Sequence, residues 1–137
     1  MKKLKFFIPA LALTTLFAGC GQAQEETPAQ PQAPAHYVSI SAEEAKKLMD
    51  SAEDYVIVDV RTQSEYDEGH IPGAVLIPDT EIARRAEEEL PDKGQLILVY
   101  CRSGRRSKLA ADALAQMGYT NIKEFGGIID WPYEIEK

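Results

Sequence analysis

One cysteine stands between an apolar run and a cluster of cations in the last third of the chain. Cys101 follows the apolar residues 96–100 and precedes Arg102, Arg105 and Arg106. A thiol beside fixed cations, at the N-terminal end of a helix dipole, is favoured in its thiolate form. Backbone N–H groups of the same loop, together with the arginines, would also hold an incoming anion. The spacing predicts a cysteine nucleophile that attacks, or carries, something negatively charged.

Two apolar runs are expected to form the strands that position Cys101 and the polar residues near it. Residues 55–60 and 96–100 are rich in Val and Ile, which is typical of strands that are buried on both faces of a parallel sheet. Cys101 comes directly after the second run, and Asp59 and Arg61 end the first. Ligands of open α/β sheets bind beyond the carboxyl ends of the strands. We therefore expect these polar residues to converge on one edge of the sheet.

Further strands and helices alternate along the chain. Residues 37–40 are predicted to form a short strand, and residues 74–77 and 121–125 are weaker strand candidates. Helices are predicted from a capping box at Ser41 to Asp50, over residues 82–90, and from about Arg105 to Gly118, which acts as a C-terminal cap. This alternation predicts an α/β fold, with a central, mostly parallel five-stranded sheet and helices on both faces.

The apolar faces of the last two helices are assigned from helical spacing. They comprise Ile82, Ala83, Ala86 and Leu90 in one helix and Leu109, Ala110, Ala113, Leu114 and Met117 in the other.

The start of the chain is typical of a secretory signal. Lys2, Lys3 and Lys5 precede an apolar stretch, residues 6–17, that is too short to span a bilayer. Residues 16–20 resemble the lipobox of bacterial lipoproteins, in which the cysteine is lipidated, although Phe17 departs from the usual Leu, Val or Ile. An ordinary cleaved signal with a cysteine nearby is the alternative.

These features predict three segments. Residues 1–19 are a lipoprotein signal peptide, and Cys20 anchors the protein to a bacterial membrane in the cell envelope, on a periplasmic or extracellular face. Residues 20–35, with Pro28, Pro31 and Pro34, are too polar to fold alone and form an extended linker. Residues 36–137 form one domain, which we expect to be a monomer.

Charge and cysteine content narrow the possible partners. Removing residues 1–19 leaves 12 basic and 22 acidic side chains, so the formal net charge changes from −7 to −10. Such an acidic protein is not expected to bind nucleic acid. With Cys20 lipidated, Cys101 is the only free thiol and no internal disulfide can form; a buried structural cysteine is the alternative interpretation. No metal-ligand cluster or nucleotide-binding loop is apparent, so no metal or cofactor is predicted.

Several motifs occur together in a recognisable order. They are Asp59-Val60-Arg61, Glu65-Tyr66, residues 69–74 (GHIPGA), residues 99–107 (VYCRSGRRS), Gly126-Gly127 and Trp131. This set resembles a rhodanese domain over essentially all of residues 36–137. The resemblance implies a sulfurtransferase that moves a sulfane sulfur from thiosulfate, or a similar anionic donor, to a thiophilic acceptor such as cyanide or a thiol.

The resemblance also assigns roles to residues. Cys101 is implied to be the nucleophile that carries the persulfide. The positions that follow it are implied to bind substrate, with Arg102 holding the anionic donor: Arg102, Ser103, Gly104, Arg105 and Arg106.

The polar residues outside this loop are interpreted as structural. Asp59 and Arg61 are expected to form an ion pair that braces the loop, with substrate binding as the alternative, and Glu65 is expected to pair with an arginine. His70 is expected to fix a turn, with a role as general base as the alternative. Gly126-Gly127 and Trp131 are expected to pack near the pocket.

Two other functions are weighed. Cysteine-dependent phosphatases need an arginine six positions after the cysteine, where this chain has Ser107, with Arg106 one place early. A non-catalytic, rhodanese-like binding module is the second alternative, although such modules lack the cysteine that this chain keeps.

Overall fold

The computed structural model describes residues 36–137, which form alternating strands and helices. In chain order these are β1 (Val38–Ser39), α1 (Ala42–Ser51), β2 (Tyr55–Asp59), α2 (Gln63–Glu68), β3 (Val75–Leu76), α3 (Ile82–Glu89), β4 (Leu96–Cys101), α4 (Arg105–Gln116) and β5 (Ile122–Gly127). Short 3-10 turns cover Asp79–Glu81 and Ile128–Asp130. The predicted signal peptide (1–19), Cys20 and the linker to residue 35 lie outside the described residues. Between residues 36 and 137, no helix is both long and apolar enough to cross a membrane.

The five strands form one parallel sheet, in the order β1-β5-β4-β2-β3. This confirms the predicted α/β fold. In the centre, Val58 of β2 lies opposite Val99 of β4, and Asp59 lies opposite Tyr100. Because the two strands run in the same direction and in this register, Asp59 and Cys101 end at the same edge of the sheet.

Helices cover both faces of the sheet, and each face has its own apolar core. Successive residues of a strand point to opposite faces. Thus Val99 and Cys101 lie in the core beneath α3 and α4, whereas Leu98 and Tyr100 lie in the core that contains Ala45 of α1. The nucleophile candidate therefore faces the α4 side of the sheet.

Capping boxes define the starts of two helices. At α1, the Glu44 N–H donates to Ser41 Oγ (3.1 Å) and the Ser41 N–H donates to Glu44 Oε2 (2.8 Å), as predicted. Helix α2, which was not predicted, begins with the same arrangement between Thr62 and Glu65. Its length of six residues is too short for an apolar periodicity to appear.

Two residues assigned to apolar helix faces point to solvent. Leu109 is 61% exposed, and Ala83 is exposed as well. Helix α4 buries a stripe at helical spacing that consists of Ser107, Ala110, Ala111, Leu114 and Ala115. Because this stripe begins with a polar residue, Ser107, the spacing of apolar residues alone predicts a face that is displaced toward Leu109. Gly118 ends the helix as predicted, with a left-handed φ of +96°.

Candidate active site

Cys101 is the last residue of β4, and residues 102–104, here called the cysteine loop, join it to α4. Gly104 at the end of this loop has a φ of +102°, a left-handed conformation that glycine adopts without strain. No side chain caps the helix start, so its first N–H groups are free to bind another acceptor. The Gly104 N–H donates to Cys101 Sγ at 3.0 Å.

These donors act on the ionisation of the thiol. Burial alone would raise the pKa of Cys101, but hydrogen bonds with the Ser107 side chain and with the backbone N–H groups of Ser107, Gly104 and Ser103 lower it below the ordinary value of a cysteine. Sγ and Ser107 Oγ are 3.5 Å apart. Fixed dipoles that point at the sulfur stabilise the thiolate, and a thiolate is the reactive form of cysteine.

The thiol and the arginines around it occupy different environments. The Cys101 side chain is only 1% exposed and belongs to the core beneath α4. Arg102 and Arg105 are exposed, whereas Arg106 is partly buried. The cations that the sequence predicts beside the thiol therefore do not hydrogen-bond to the sulfur. Its contacts come from backbone N–H groups and the Ser107 hydroxyl.

Arg106 is held by Glu65 of α2. Its Nη1 and Nη2 donate to the two carboxylate oxygens at 2.8 and 2.7 Å. Hydrogen bonds from Arg106 lower the pKa of Glu65 to about 2, against the opposing effect of burial. The hydrogen bonds to Glu65, and also the nearby charge of Cys101, raise the pKa of Arg106. This pair fixes the Arg106 guanidinium in the first turn of α4, with its charge balanced by Glu65.

A second buried network joins the ends of the two central strands. Asp59 Oδ2 accepts from Arg61 Nη2 and from the Tyr100 hydroxyl, both at 2.7 Å. The same Nη2 donates to the Gly69 carbonyl at 2.7 Å, beyond the end of α2. Burial raises the pKa of Tyr100, so its hydroxyl keeps the proton that it donates to Asp59. Buried, fully hydrogen-bonded groups of this kind fix the relative positions of the elements that carry them.

The double glycine at the end of β5 accommodates the cysteine loop. A Cβ on Gly127 would lie 1.9 Å from the Arg102 carbonyl oxygen, far inside any real contact distance. That carbonyl accepts a hydrogen bond from the Ile129 N–H at 3.2 Å. The loop backbone therefore rests directly on the backbone of Gly127. Trp131, 9% exposed, packs in the core on the opposite face of the sheet.

A cleft of about 430 Å³ opens beside the cysteine loop. Its walls carry both cationic and apolar side chains, together with two acids at α2: Arg61, Arg102, Glu65, Glu68, Gly69, Ile128, Ile129 and Ile135. Arg61 is already bound to Asp59, whereas Arg102 forms no ion pair within residues 36–137. Arg102 is thus the cation of this cleft that an anion can engage.

His70 fastens the chain after α2. Its Nδ1 lies 3.0 Å from the Tyr66 carbonyl oxygen, and its ring stacks on Tyr66 with 3.7 Å between centroids. Its backbone pairs with Glu136 in an isolated antiparallel bridge. These contacts agree with a residue that fixes a turn.

Two polar residues near the sulfur were not among the predicted site residues. Ser107 and Glu124 are 0% and 1% exposed, and Ser107 Oγ donates to Glu124 Oε1 at 2.6 Å. The available signals were a serine in the buried stripe of α4 and an acid in β5, where it follows Lys123 and lies between the buried Ile122 and Phe125. Both signals become informative only once the strand and helix faces are known.

Comparison with known families agrees with this arrangement. Residues 41–132 match the rhodanese-like domain family. The thiosulfate sulfurtransferase PspE of Escherichia coli is 40% identical over 73 residues, which cover 53% of this chain and 70% of that protein. A sulfurtransferase of Allochromatium vinosum is 38% identical over 93 residues, covering 67% of this chain and 85% of that protein.

Solved structures show the same relationship. A rhodanese with anions from E. coli superposes with a TM-score of 0.58 at 36% identity, covering 61% of this chain and 98% of that chain. A thiosulfate sulfurtransferase from Pseudomonas aeruginosa gives a TM-score of 0.67 at 31% identity. The match covers 74% of this chain but only 20% of the Pseudomonas chain.

Proposed function

This chain belongs to the rhodanese family, and from that membership we propose that it is a thiosulfate sulfurtransferase that carries sulfur as a persulfide on Cys101. The observation that carries the proposal is the hydrogen bond from the Gly104 N–H to Cys101 Sγ, 3.0 Å long, at the uncapped start of α4. A group of fixed donors around one sulfur suits both a thiolate and the charged sulfur species that it would form.

The reaction divides into two displacements. In the first, the Cys101 thiolate attacks the outer sulfur of thiosulfate; the sulfur–sulfur bond of the donor breaks, and sulfite leaves with the bonding electron pair. In the second, the acceptor, cyanide or a thiolate, attacks the outer sulfur of the persulfide, and the Cys101 thiolate leaves. Each step conserves charge and needs no metal or redox partner. Covalent catalysis of this kind gives a double-displacement rate law.

The electrostatic requirement of the first step supports the same assignment. A thiolate and thiosulfate are both anions, so their approach is unfavourable unless donors and cations offset the repulsion. Arg102 lines the cleft beside the loop and forms no ion pair within residues 36–137, whereas the charge of Arg106 is balanced by Glu65. We assign Arg102 to donor binding and the N–H groups of Ser103 and Gly104 to the transferred sulfur.

The cysteine-dependent phosphatase remains the rival enzyme. A phosphatase arginine must be free to hold the phosphate, yet both terminal nitrogens of Arg106 donate to Glu65. The geometry therefore favours sulfur transfer. A non-catalytic binding module would not need the lowered pKa of Cys101.

Intact mass spectrometry tests the proposal. The full chain with Cys20→Ser, which leaves Cys101 as its only thiol, is expected to gain the mass of one sulfur atom on exposure to thiosulfate and to lose it on addition of cyanide. The double variant Cys20→Ser/Cys101→Ser is the matched control, and its mass should not change. An unmodified Cys101 after thiosulfate, or hydrolysis of a phosphate monoester by the same sample, would reject the assignment.

We also propose that the domain works at a bacterial membrane surface, tethered by lipid on Cys20 and by the linker 20–35. The support is the order of charged, apolar and small residues before Cys20. The lipobox resemblance implies three acyl chains on Cys20, and two lipid signals are already enough for stable anchoring. Sedimentation of the protein with bacterial membranes, which Cys20→Ser should abolish, tests this; equal sedimentation of both forms would contradict it.

A further inference from the structure

Glu124 is a buried carboxylate with no cation to balance it. It lies on β5, is 1% exposed, and faces the α4 side of the sheet together with Ile122. Its hydrogen-bond donors are the Ser39 hydroxyl at 3.0 Å, the Ser107 hydroxyl at 2.6 Å and the Gly126 N–H at 2.8 Å. Within residues 36–137, no Lys, Arg or His nitrogen lies within 4.0 Å of it. A buried charge that is paired only with neutral donors is costly, which calls for an explanation.

One of these donors also touches the nucleophile. Ser107 Oγ lies 2.6 Å from Glu124 Oε1 and 3.5 Å from Cys101 Sγ. The Gly104 and Gly126 carbonyl oxygens are also within reach, at 3.1 and 3.2 Å, but they are neutral, and charged acceptors form the stronger hydrogen bonds. A serine hydroxyl has one proton to donate and two lone pairs that accept. When Ser107 donates to a Glu124 carboxylate, it offers the sulfur only a lone pair. When Ser107 donates to a Cys101 thiolate instead, Glu124 loses its shortest hydrogen bond. A protonated Glu124 keeps that contact, because its own O–H can donate to Ser107 Oγ.

The thiolate and the carboxylate therefore compete for one hydroxyl proton. Through Ser107 the two groups are no further apart than about 6 Å, a range in which like charges in a buried site disfavour double ionisation. The other charged groups nearby do not reach Glu124. Arg106 of α4 binds Glu65, Arg105 and Lys108 of the same helix are exposed, β1 presents the neutral Ser39, and β4 presents Cys101.

We propose that Cys101 and Glu124 share a single proton through Ser107, so that the attacking thiolate forms while Glu124 takes up a proton inside the site. In this step the Cys101 S–H bond breaks and its proton passes to Ser107 Oγ, while the Ser107 proton passes to Glu124 Oε1. The net charge of the pair stays at minus one. Glu124 is thus a positioning residue that acts on the sulfur through Ser107. The inference rests on the proposed function in taking Cys101 as the sulfur carrier.

The first test is the pH dependence of Cys101 alkylation by iodoacetamide, in the full chain with Cys20→Ser, from about pH 4 to about pH 10. A shared proton gives two steps, with an intermediate range over which the alkylation rate changes little. Glu124→Gln keeps the size and the hydrogen bonding of the side chain but cannot take up the proton. Its rate should show one step and fall about tenfold for each pH unit below the midpoint.

Ser39→Ala is the matched control, because Ser39 binds the other oxygen of Glu124 and has no contact with Ser107. It should retain two steps, whereas Ser107→Ala should give one. Superimposable single-step profiles for the wild type and Glu124→Gln would overturn the proposal.

A second measurement needs no substitution at Glu124. Infrared difference spectroscopy should show the carbonyl stretch of a protonated carboxylic acid in the reduced protein. That band should be lost after methyl methanethiosulfonate converts Cys101 into a small, neutral disulfide, because Glu124 then ionises. The absence of any change in this band would overturn the proposal. If thiosulfate still adds one sulfur to Cys101 but the two-step profile and the infrared band are absent, the shared proton is rejected and sulfur transfer is retained. If thiosulfate adds no sulfur, the proposed sulfur transfer is rejected independently of the shared proton.

Discussion

Glu65 and Arg106, 41 residues apart in the chain, meet through two hydrogen bonds of 2.8 and 2.7 Å. The same carboxylate accepts from the Thr62 N–H at 3.0 Å and so closes the capping box of α2. One side chain therefore starts a helix and fixes the cation next to the cysteine loop. Because a bidentate pair with arginine is the stronger kind of ion pair, this contact couples α2 to the first turn of α4.

We expect Glu65→Gln to destabilise the protein in a pH-dependent way. Arg106 lowers the pKa of Glu65 to about 2, below the value of 4.5 for a free carboxyl. Its stabilisation is therefore complete above the pKa of the unfolded chain and disappears as pH falls through about 2. Since both side chains are about a quarter exposed, we expect a loss of about 1–2 kcal/mol at neutral pH. Urea unfolding of both proteins over a pH series measures the difference.

Glu43→Gln provides the control for that series. Glu43 pairs with Lys47 on α1, and both side chains are about 70% exposed. Its replacement should change the free energy of unfolding very little at any pH. A Glu65→Gln penalty that is as large in strong acid as at neutral pH would show that the ion pair is not its source.

Gly127 is expected to tolerate no side chain. An alanine Cβ there would meet the Arg102 carbonyl oxygen at 1.9 Å, and backbone atoms cannot yield as a flexible side chain does. Either the cysteine loop moves or the end of β5 separates from it. Gly127→Ala should lose about 3 kcal/mol or more of stability, together with most sulfur transfer. Thermal unfolding and the persulfide assay measure the two effects.

Gly94→Ala is the comparison for Gly127→Ala. A Cβ at Gly94 would approach only the Asp92 side chain, at 3.4 Å, which can shift at little cost. We expect its stability and sulfur transfer to stay near those of the wild type. Similar behaviour of the two variants would mean that the loop adapts to Gly127→Ala.

The convergence of Cys101 and Asp59 was predictable because it follows from strand direction. Apolar runs rich in Val and Ile indicated parallel strands, and parallel strands bring their carboxyl ends to one edge. Helix α2 was not predictable in the same way. It is six residues long and contains no buried residue, so its only signal is the capping box from Thr62 to Glu65.

The surroundings of the sulfur could be predicted only in part. The arginine cluster suggested that cations stabilise the thiolate, but N–H groups and Ser107 make the contacts. Which backbone dipoles point at an atom depends on φ and ψ within the loop, and no sequence pattern gives these directly. Glu124 was missed for a related reason. A glutamate in a strand indicates a buried polar contact only once the side of the sheet that it faces is known. Here Glu124 faces α4 and binds Ser107.

Arg102 should control the affinity for the sulfur donor more than the rate of the chemical step. Its side chain lines the cleft beside the loop, whereas Sγ is contacted by other groups. Reversing its charge with Arg102→Glu should raise the KM for thiosulfate roughly tenfold or more, with a smaller fall in kcat. Because cyanide carries one charge rather than two, its KM should rise less. Steady-state kinetics with each substrate varied in turn measure both constants.

Lys108→Glu makes the same change in net charge on an exposed position of α4 that does not line the cleft. If the effect of Arg102→Glu arose from overall charge alone, Lys108→Glu would reproduce it, and Arg102 would lose its assignment to the donor site. High salt separates the two cases further, since screening weakens a long-range field more than a direct contact. A direct contact predicts that the ratio of KM values between Arg102→Glu and the wild type persists at high ionic strength.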